Sequence, residues 1–354
     1  MILDLETVER HLSAAREVGR SCRLIDVHAH PCELFAEPPA YEPDPFRAGV
    51  CRIRSGPCYA APAAAPVPLD GGDRSAQGAE FQTAWAVHML RQEYRHVGAP
   101  VFTDQMDLCG IRSAVLHPVL PPGNSGDGAT GRLREMYGGC DRLLLSYCVP
   151  GTVDEDEIPA AIAGAVAEHG IRAVKLHANR TGINLATRSG VTRVERMLEA
   201  CDRLRLPLLV HGGRSLLLQA AGAAEYATID KLETIDWGLS RAPVILAHAG
   251  AYDCPPGEAE AAVLPAAEKL LARHANLFVD ISGLGLEVVR AVLRRLDPDR
   301  ILFGSDALYA SVWGRVAILM HALESLGQDS QRALARIAGT NAERVFAGEG
   351  RRAS

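Results

Sequence analysis

Eight short apolar runs constrain this chain more than any other feature. They are Arg23–His28 (RLIDVH), Ile111–His117 (IRSAVLH), Arg142–Val149 (RLLLSYCV), Ile171–His177 (IRAVKLH), Leu206–His211 (LPLLVH), Pro243–His248 (PVILAH), Asn276–Ile281 (NLFVDI) and Arg300–Ser305 (RILFGS). Runs so uniformly apolar suit parallel strands covered on both faces by helices. From the second to the eighth, their starts lie about 24 to 37 residues apart, enough for a strand, a crossover helix and two loops. Among the intervening segments, VDEDEIPAAIAGAVAEHG begins acidic and ends in glycine, matching a helix dipole and a C-terminal stop. Residues 191–205 read as a second crossover helix. Eight such units predict the α/β class and a (β/α)8 barrel with extra terminal helices. An open doubly wound sheet would also alternate strands with helices, but no glycine-rich phosphate loop follows the first run.

One connection breaks this rhythm. Residues 31–100 form an insertion after strand one, beginning with the Ala/Pro/Gly-rich stretch Pro31–Gly72 and continuing into a helix-like run that places Phe81, Trp85, His88 and Met89 on one face. A loop this long is usually functional or disordered, and at the top of a barrel strand it would lie over the mouth as a lid. The rest of the 354 residues exceeds a typical barrel of about 250 residues by only terminal helices. The whole chain, 1–354, therefore reads as a single domain with an insertion.

Charge narrows the function classes. A net charge of −6 gives no basic face, which argues against nucleic acid and anionic membranes as partners and leaves a small-molecule substrate. The cysteines number nine, an odd count with no CxxC pair, which disfavours a disulfide framework or a four-cysteine zinc module. No apolar run reaches the roughly 18 residues of a membrane span, and MILDLETVERHL lacks the regions of a signal peptide. The expected setting is soluble, reducing and cytoplasmic.

Six of the twelve histidines, His28, His30, His117, His177, His211 and His248, fall at or just past the ends of the proposed strands. That end of a parallel barrel carries its active site. His28 and His30 are two residues apart, so an extended strand points both to one face; such a pair suits a divalent metal, although a packed core pair has the same spacing. Adding His211 and Asp306 supplies three nitrogens and one carboxylate, the ligand types of a catalytic zinc site with a position left for water.

IDVHAHP, IRAVKLHAN, LPLLVHGG, PVILAHAG, ILFGSDAL and the closing IAGTNAERVF together resemble the amidohydrolase superfamily, in its amidohydrolase-related branch, from Leu24 to about Phe346. The resemblance implies a metal at the C-terminal mouth of the barrel, held by His28, His30, His211 and Asp306, with His248 assisting. Zinc is the expected ion, with manganese or another divalent metal as an alternative. A single ion is preferred over a binuclear centre in which a carboxylated Lys175 and His248 serve a second metal. Lys175 is one of three lysines among 34 arginines. Family members are often homodimers.

These roles predict a hydrolase that attacks a C–N or C–O bond of a small cyclic or carboxylated substrate. Metal-activated water would be the nucleophile, Asp306 would hold it and move its proton, and His248 would polarise the carbonyl. The first alternative is a non-oxidative decarboxylase of an aromatic or unsaturated acid, and the second a non-catalytic metal-binding barrel. His177, Arg180, Arg214, Tyr252 and Trp313 are candidate substrate contacts, the arginines as carboxylate clamps or, more plainly, as salt-bridged surface groups. Asp280, at the end of strand seven, either joins the site or orients a neighbouring histidine.

Overall fold

The computed structural model describes residues 2–30, 67–68, 99–118, 126–215, 222–307 and 311–346. All eight expected strands form: β1 (Leu24–Ala29), β2 (Ile111–Leu116), β3 (Leu143–Cys148), β4 (Ala173–Leu176), β5 (Leu208–Val210), β6 (Val244–Leu246), β7 (Leu277–Asp280) and β8 (Ile301–Leu302). Each pairs in parallel with the next, from β1 to β8. Backbone hydrogen bonds then close the ring: Val27 N–H donates to Phe303 O at 3.0 Å, Asp306 N–H to His28 O at 2.8 Å, and His30 N–H to Ala307 O. The architecture is a (β/α)8 barrel.

The helices include α1 (Leu5–Ser21), which precedes the barrel, the crossovers α2 (Ala99–Leu108), α3 (Gly126–Tyr137), α4 (Ile158–His169), α5 (Arg188–Leu204), α6 (Leu264–Arg273) and α7 (Leu286–Arg295), and α8 (Val312–Ser325), which follows β8. The two crossover helices expected from sequence correspond to α4 and α5. Gly170 ends α4 with φ 66°, and the Thr187 hydroxyl caps α5 by accepting from Gly190 N–H. The expected lid lies outside the described residues, as does its Phe81, Trp85, His88 and Met89 face; within the insertion, Val67–Pro68 pairs antiparallel with Ile2–Leu3.

Two apolar layers follow from strand alternation. Val174, Leu176, Leu208, Val210, Val244 and Leu246 face the helices, whereas Ala173, Leu209, Ile245, Phe278 and Leu302 fill the interior with Ile25 and Val27. Val345 and Phe346 join that interior cluster, so the C-terminal helix Asn341–Phe346 packs against the barrel's inner layer. Above this layer the inward positions become polar: His117, Lys175, His177, His211 and Asp280 continue the same alternation and are buried.

Strand β1 departs from it. Its pairing to β2 slips by one residue between Asp26 and Ala29, a β-bulge that reverses the face presented by the residues beyond it. Ile25 and Val27 lie in the interior cluster, yet Ala29 packs with the outer layer. The bulge thereby allows His28 and His30 to face inward.

Candidate metal centre

The hydrogen bonds assign the protons around β1. His30 Nδ1 lies 2.8 Å from His117 O; a carbonyl only accepts, so the proton is on Nδ1 and Nε2 bears a lone pair. His28 Nδ1 lies 2.9 Å from Asp280 Oδ2, which places its proton there too. The two Nε2 atoms are 3.0 Å apart, and with both rings neutral neither carries a proton to share. Asp306 Oδ1 completes a buried group, 3.2 Å from His30 Nε2 and 3.9 Å from His28 Nε2. Two facing lone pairs beside a carboxylate are electrostatically complementary to a cation, and nitrogen and oxygen donors in this number suit a divalent metal.

Asp280 organises the neighbouring side. Its Oδ2 accepts from His28, while Oδ1 accepts from the backbone N–H groups of His248 (2.9 Å) and Ser282 (3.0 Å) and from the Ser282 hydroxyl (2.5 Å). His248 Nδ1 meets Ser282 O at 2.8 Å, so its Nε2 is also unprotonated when the ring is neutral. Asp280 thus orients two histidines, the second of the roles expected for it. His28, His248 and Asp280 form another potential ligand group, but both carboxylate oxygens of Asp280 are already engaged by protein donors.

Backbone geometry at this side is unusual. His248 and Asp306 each have φ 57°, in the left-handed region that non-glycine residues seldom occupy and that recurs at functional sites. Gly283 explains part of the packing: a Cβ there would stand 2.7 Å from Asp306 Oδ2 and 3.4 Å from His248 Nδ1. A side chain at 283 would collide with the candidate base.

Charge is concentrated and dry. Lys175 Nζ lies 3.0 Å from His28 Nε2, and burial pushes its ammonium down to about 8 against the opposing pull of Asp280 and Asp306. Burial also lowers His28, His117, His177, His211 and His248 below the ordinary histidine range. Burial alone would raise Asp306, but the close contact with His30 and the nearby His248, His30 and His28 hold it well below the usual carboxylate range. Asp26, unnoticed in the sequence, is pushed up to about 7 by complete burial.

The β4–β5 side is built differently. His211 Nε2 meets Arg214 O at 3.2 Å, so it carries a proton, and His211 falls outside the His28, His30 and Asp306 group. Its ring instead stacks on His177, with centroids 4.0 Å apart and planes 8° from parallel. Tyr252 lies against both His248 and His211, at centroid distances of 4.4 and 5.2 Å. His177 Nδ1 is buried, with no hydrogen-bond partner among the described residues. His117 has neither nitrogen to spare, since they meet Ser146 Oγ and Val27 O.

Arg180, Arg214 and Trp313 lie on the segments that follow β4, β5 and β8. Arg214 makes a bidentate pair with Glu258 at 2.8 and 3.0 Å, the salt-bridged alternative expected for it. Arg180 is half-buried on the short helix Ala178–Thr181 after β4. Trp313 is buried in the first turn of α8, and its indole N–H has no partner among the described residues. Asp26, Ser282 and Gly283 were missed by the sequence reading because they carry no recognisable ligand spacing.

A family model described as amidohydrolase matches residues 124–348. No curated protein matches the chain. Among solved structures, 5-carboxyvanillate decarboxylase from Novosphingobium aromaticivorans, complexed with manganese and 4-hydroxy-3-methoxy-5-nitrobenzoic acid, is 15% identical with a TM-score of 0.56, covering 93% of this chain and 97% of that one. The 2,6-dihydroxybenzoate decarboxylase from Rhizobium is 17% identical, with a TM-score of 0.52 and coverage of 73% and 92%. A probable 2-pyrone-4,6-dicarboxylic acid hydrolase from Acinetobacter baumannii, with citric acid bound, is 16% identical, with a TM-score of 0.50 and coverage of 92% and 99%. At these identities the likeness is one of fold. The family match spans well over half of the chain and includes every strand from β3 to β8, and by it the chain belongs to the amidohydrolase family.

Proposed function

We propose that the chain is a divalent-metal-dependent enzyme acting on a small cyclic or carboxylated molecule, with hydrolysis of a C–N or C–O bond as its reaction. The observation that carries this reading is the pair of unprotonated Nε2 atoms, 3.0 Å apart, beside the Asp306 carboxylate. His28, His30 and Asp306 would hold the ion. His211 would join them only by exchanging its bond to Arg214 O. Zinc fits the donor types, and so does the manganese carried by the 5-carboxyvanillate decarboxylase structure.

When bound, the ion supplies Lewis acidity to the substrate and to adjacent water. Asp306, ionised and nearly enclosed, accepts the proton of the attacking water and returns it to the leaving nitrogen or oxygen. His248, with Nδ1–H held by Ser282 O, would donate to a developing oxyanion only on taking a second proton at Nε2, a step that burial opposes and the nearby Asp306 and Asp280 favour. His177 and Tyr252 line the substrate side. One ion is favoured over two because Asp280 is saturated by its own donors; a carboxylated Lys175 would be the ligand that brings a second.

Decarboxylation is the second reading, favoured by the two decarboxylases matched over 73% and 93% of this chain. In that case the bond to the carboxylate carbon breaks, its electron pair stays on the ring carbon, and protonated His248 or Lys175 supplies the replacing proton as CO2 leaves. The experiment is a panel of cyclic acids, lactones and amides, run in H2 18O with CO2 collected. Hydrolysis places 18O in the product. CO2 release without 18O replaces it with the second reading, and no metal-dependent turnover across the panel counts against both.

A further inference from the structure

Asp26 is fully buried and sits at the point where β1 loses register with β2. Its Oδ1 accepts two backbone N–H groups, from His28 at 3.1 Å and from Ser305 at 2.9 Å. These are a metal donor itself and the residue immediately before Asp306. A bulge disrupts the regular ladder around its extra residue, and a buried N–H left unsatisfied is destabilising. The carboxylate therefore supplies an acceptor to the bulge that precedes His28 and, with the same oxygen, ties it to the end of β8. The seam between β1 and β8 is carried by individual backbone bonds, Val27 to Phe303, Asp306 to His28 and His30 to Ala307, and the bond from Ser305 to Asp26 adds to them.

We propose that Asp26 is a positioning residue for the metal donors, one that holds the β1 bulge against the β8 turn and so sets the approach of His28 to Asp306. The inference rests on the divalent-metal reading above. It requires an accepting oxygen at one place, not a negative charge. Asp26→Asn keeps that oxygen, Asp26→Glu keeps the charge but displaces the oxygen by one methylene, and Asp26→Ala removes both.

The test measures Mn2+ and Zn2+ affinity by competition with a chromophoric chelator, on metal-stripped full-length protein. Asn341→Ala serves as a stability control, since Asn341 Nδ2 bonds to Pro298 O and Ile301 O at the other end of β8. Asp26→Ala and Asp26→Glu are expected to bind about 10- to 100-fold more weakly, the range typical for outer partners of metal ligands. Asp26→Asn is expected to stay within about threefold of the parent on the same scale, and Asn341→Ala to lower the melting temperature without changing affinity. Unchanged affinity in Asp26→Ala overturns the proposal, as does tighter binding by Asp26→Glu than by Asp26→Asn or an equal loss in Asn341→Ala. If Asp26→Ala does not fold, the order of Asn against Glu still decides. Failure of the parent protein to bind either metal refutes the metal reading instead.

Discussion

The two sides of the barrel mouth are both rich in histidine, yet they are wired oppositely. On the side formed by β6, β7, β8 and β1, His28, His30 and His248 each have Nδ1 committed to a protein acceptor, which leaves Nε2 as a lone pair in the neutral ring. On the β4–β5 side, His211 commits Nε2, and His177 leaves Nδ1 buried with no partner among the described residues, the two rings lying flat on each other. The first arrangement suits a cation, because acceptors fix each tautomer and aim the remaining nitrogen. The second presents a ring face and a spare nitrogen, which suits a planar organic molecule. Histidine count alone would have treated the two sides as one site.

Breaking the ion side should have the largest effect. Asp306→Asn removes the base and is expected to lower kcat by about 10²- to 10⁴-fold while far-UV circular dichroism stays unchanged; near-parental kcat would move the base elsewhere. Asp280→Ala leaves His28 without its orienting acceptor and should weaken metal binding by about 10- to 100-fold, read by chelator competition. On the other side, His177→Ala should raise KM by about tenfold, the worth of one hydrogen bond, with metal affinity unchanged. A fall in metal affinity there would erase the distinction between the two sides. Arg214→Ala should be the mildest, within about 1 kcal/mol in chemical denaturation, as for other partly exposed ion pairs, and without a change in kcat.

The fold was readable because burial on both faces of a parallel strand leaves an apolar signature that no other element shares at this spacing. Strand-end placement made His28, His30, His248 and Asp306 legible for the same reason. What escaped was everything that depends on register and tautomer. Ile25 and Val27 point inward, so strict alternation would send His28 outward; only the slip after Asp26 reverses it. Asp26 itself looks like an ordinary strand residue until its two backbone partners are seen. Ligand type and the family resemblance grouped His211 with the other donors, and neither signals its stacking on His177. Arg214 could be either a clamp or a surface ion pair, and Glu258, which decides it, lies 44 residues further on.

The proposed centre holds one divalent ion on His28, His30 and Asp306. Titrating metal-stripped protein calorimetrically with Mn2+ or Zn2+, alongside His30→Ala, tests it most directly. One ion per chain, abolished in His30→Ala, is the predicted result; no binding, a second ion of comparable affinity, or full binding by His30→Ala would contradict it.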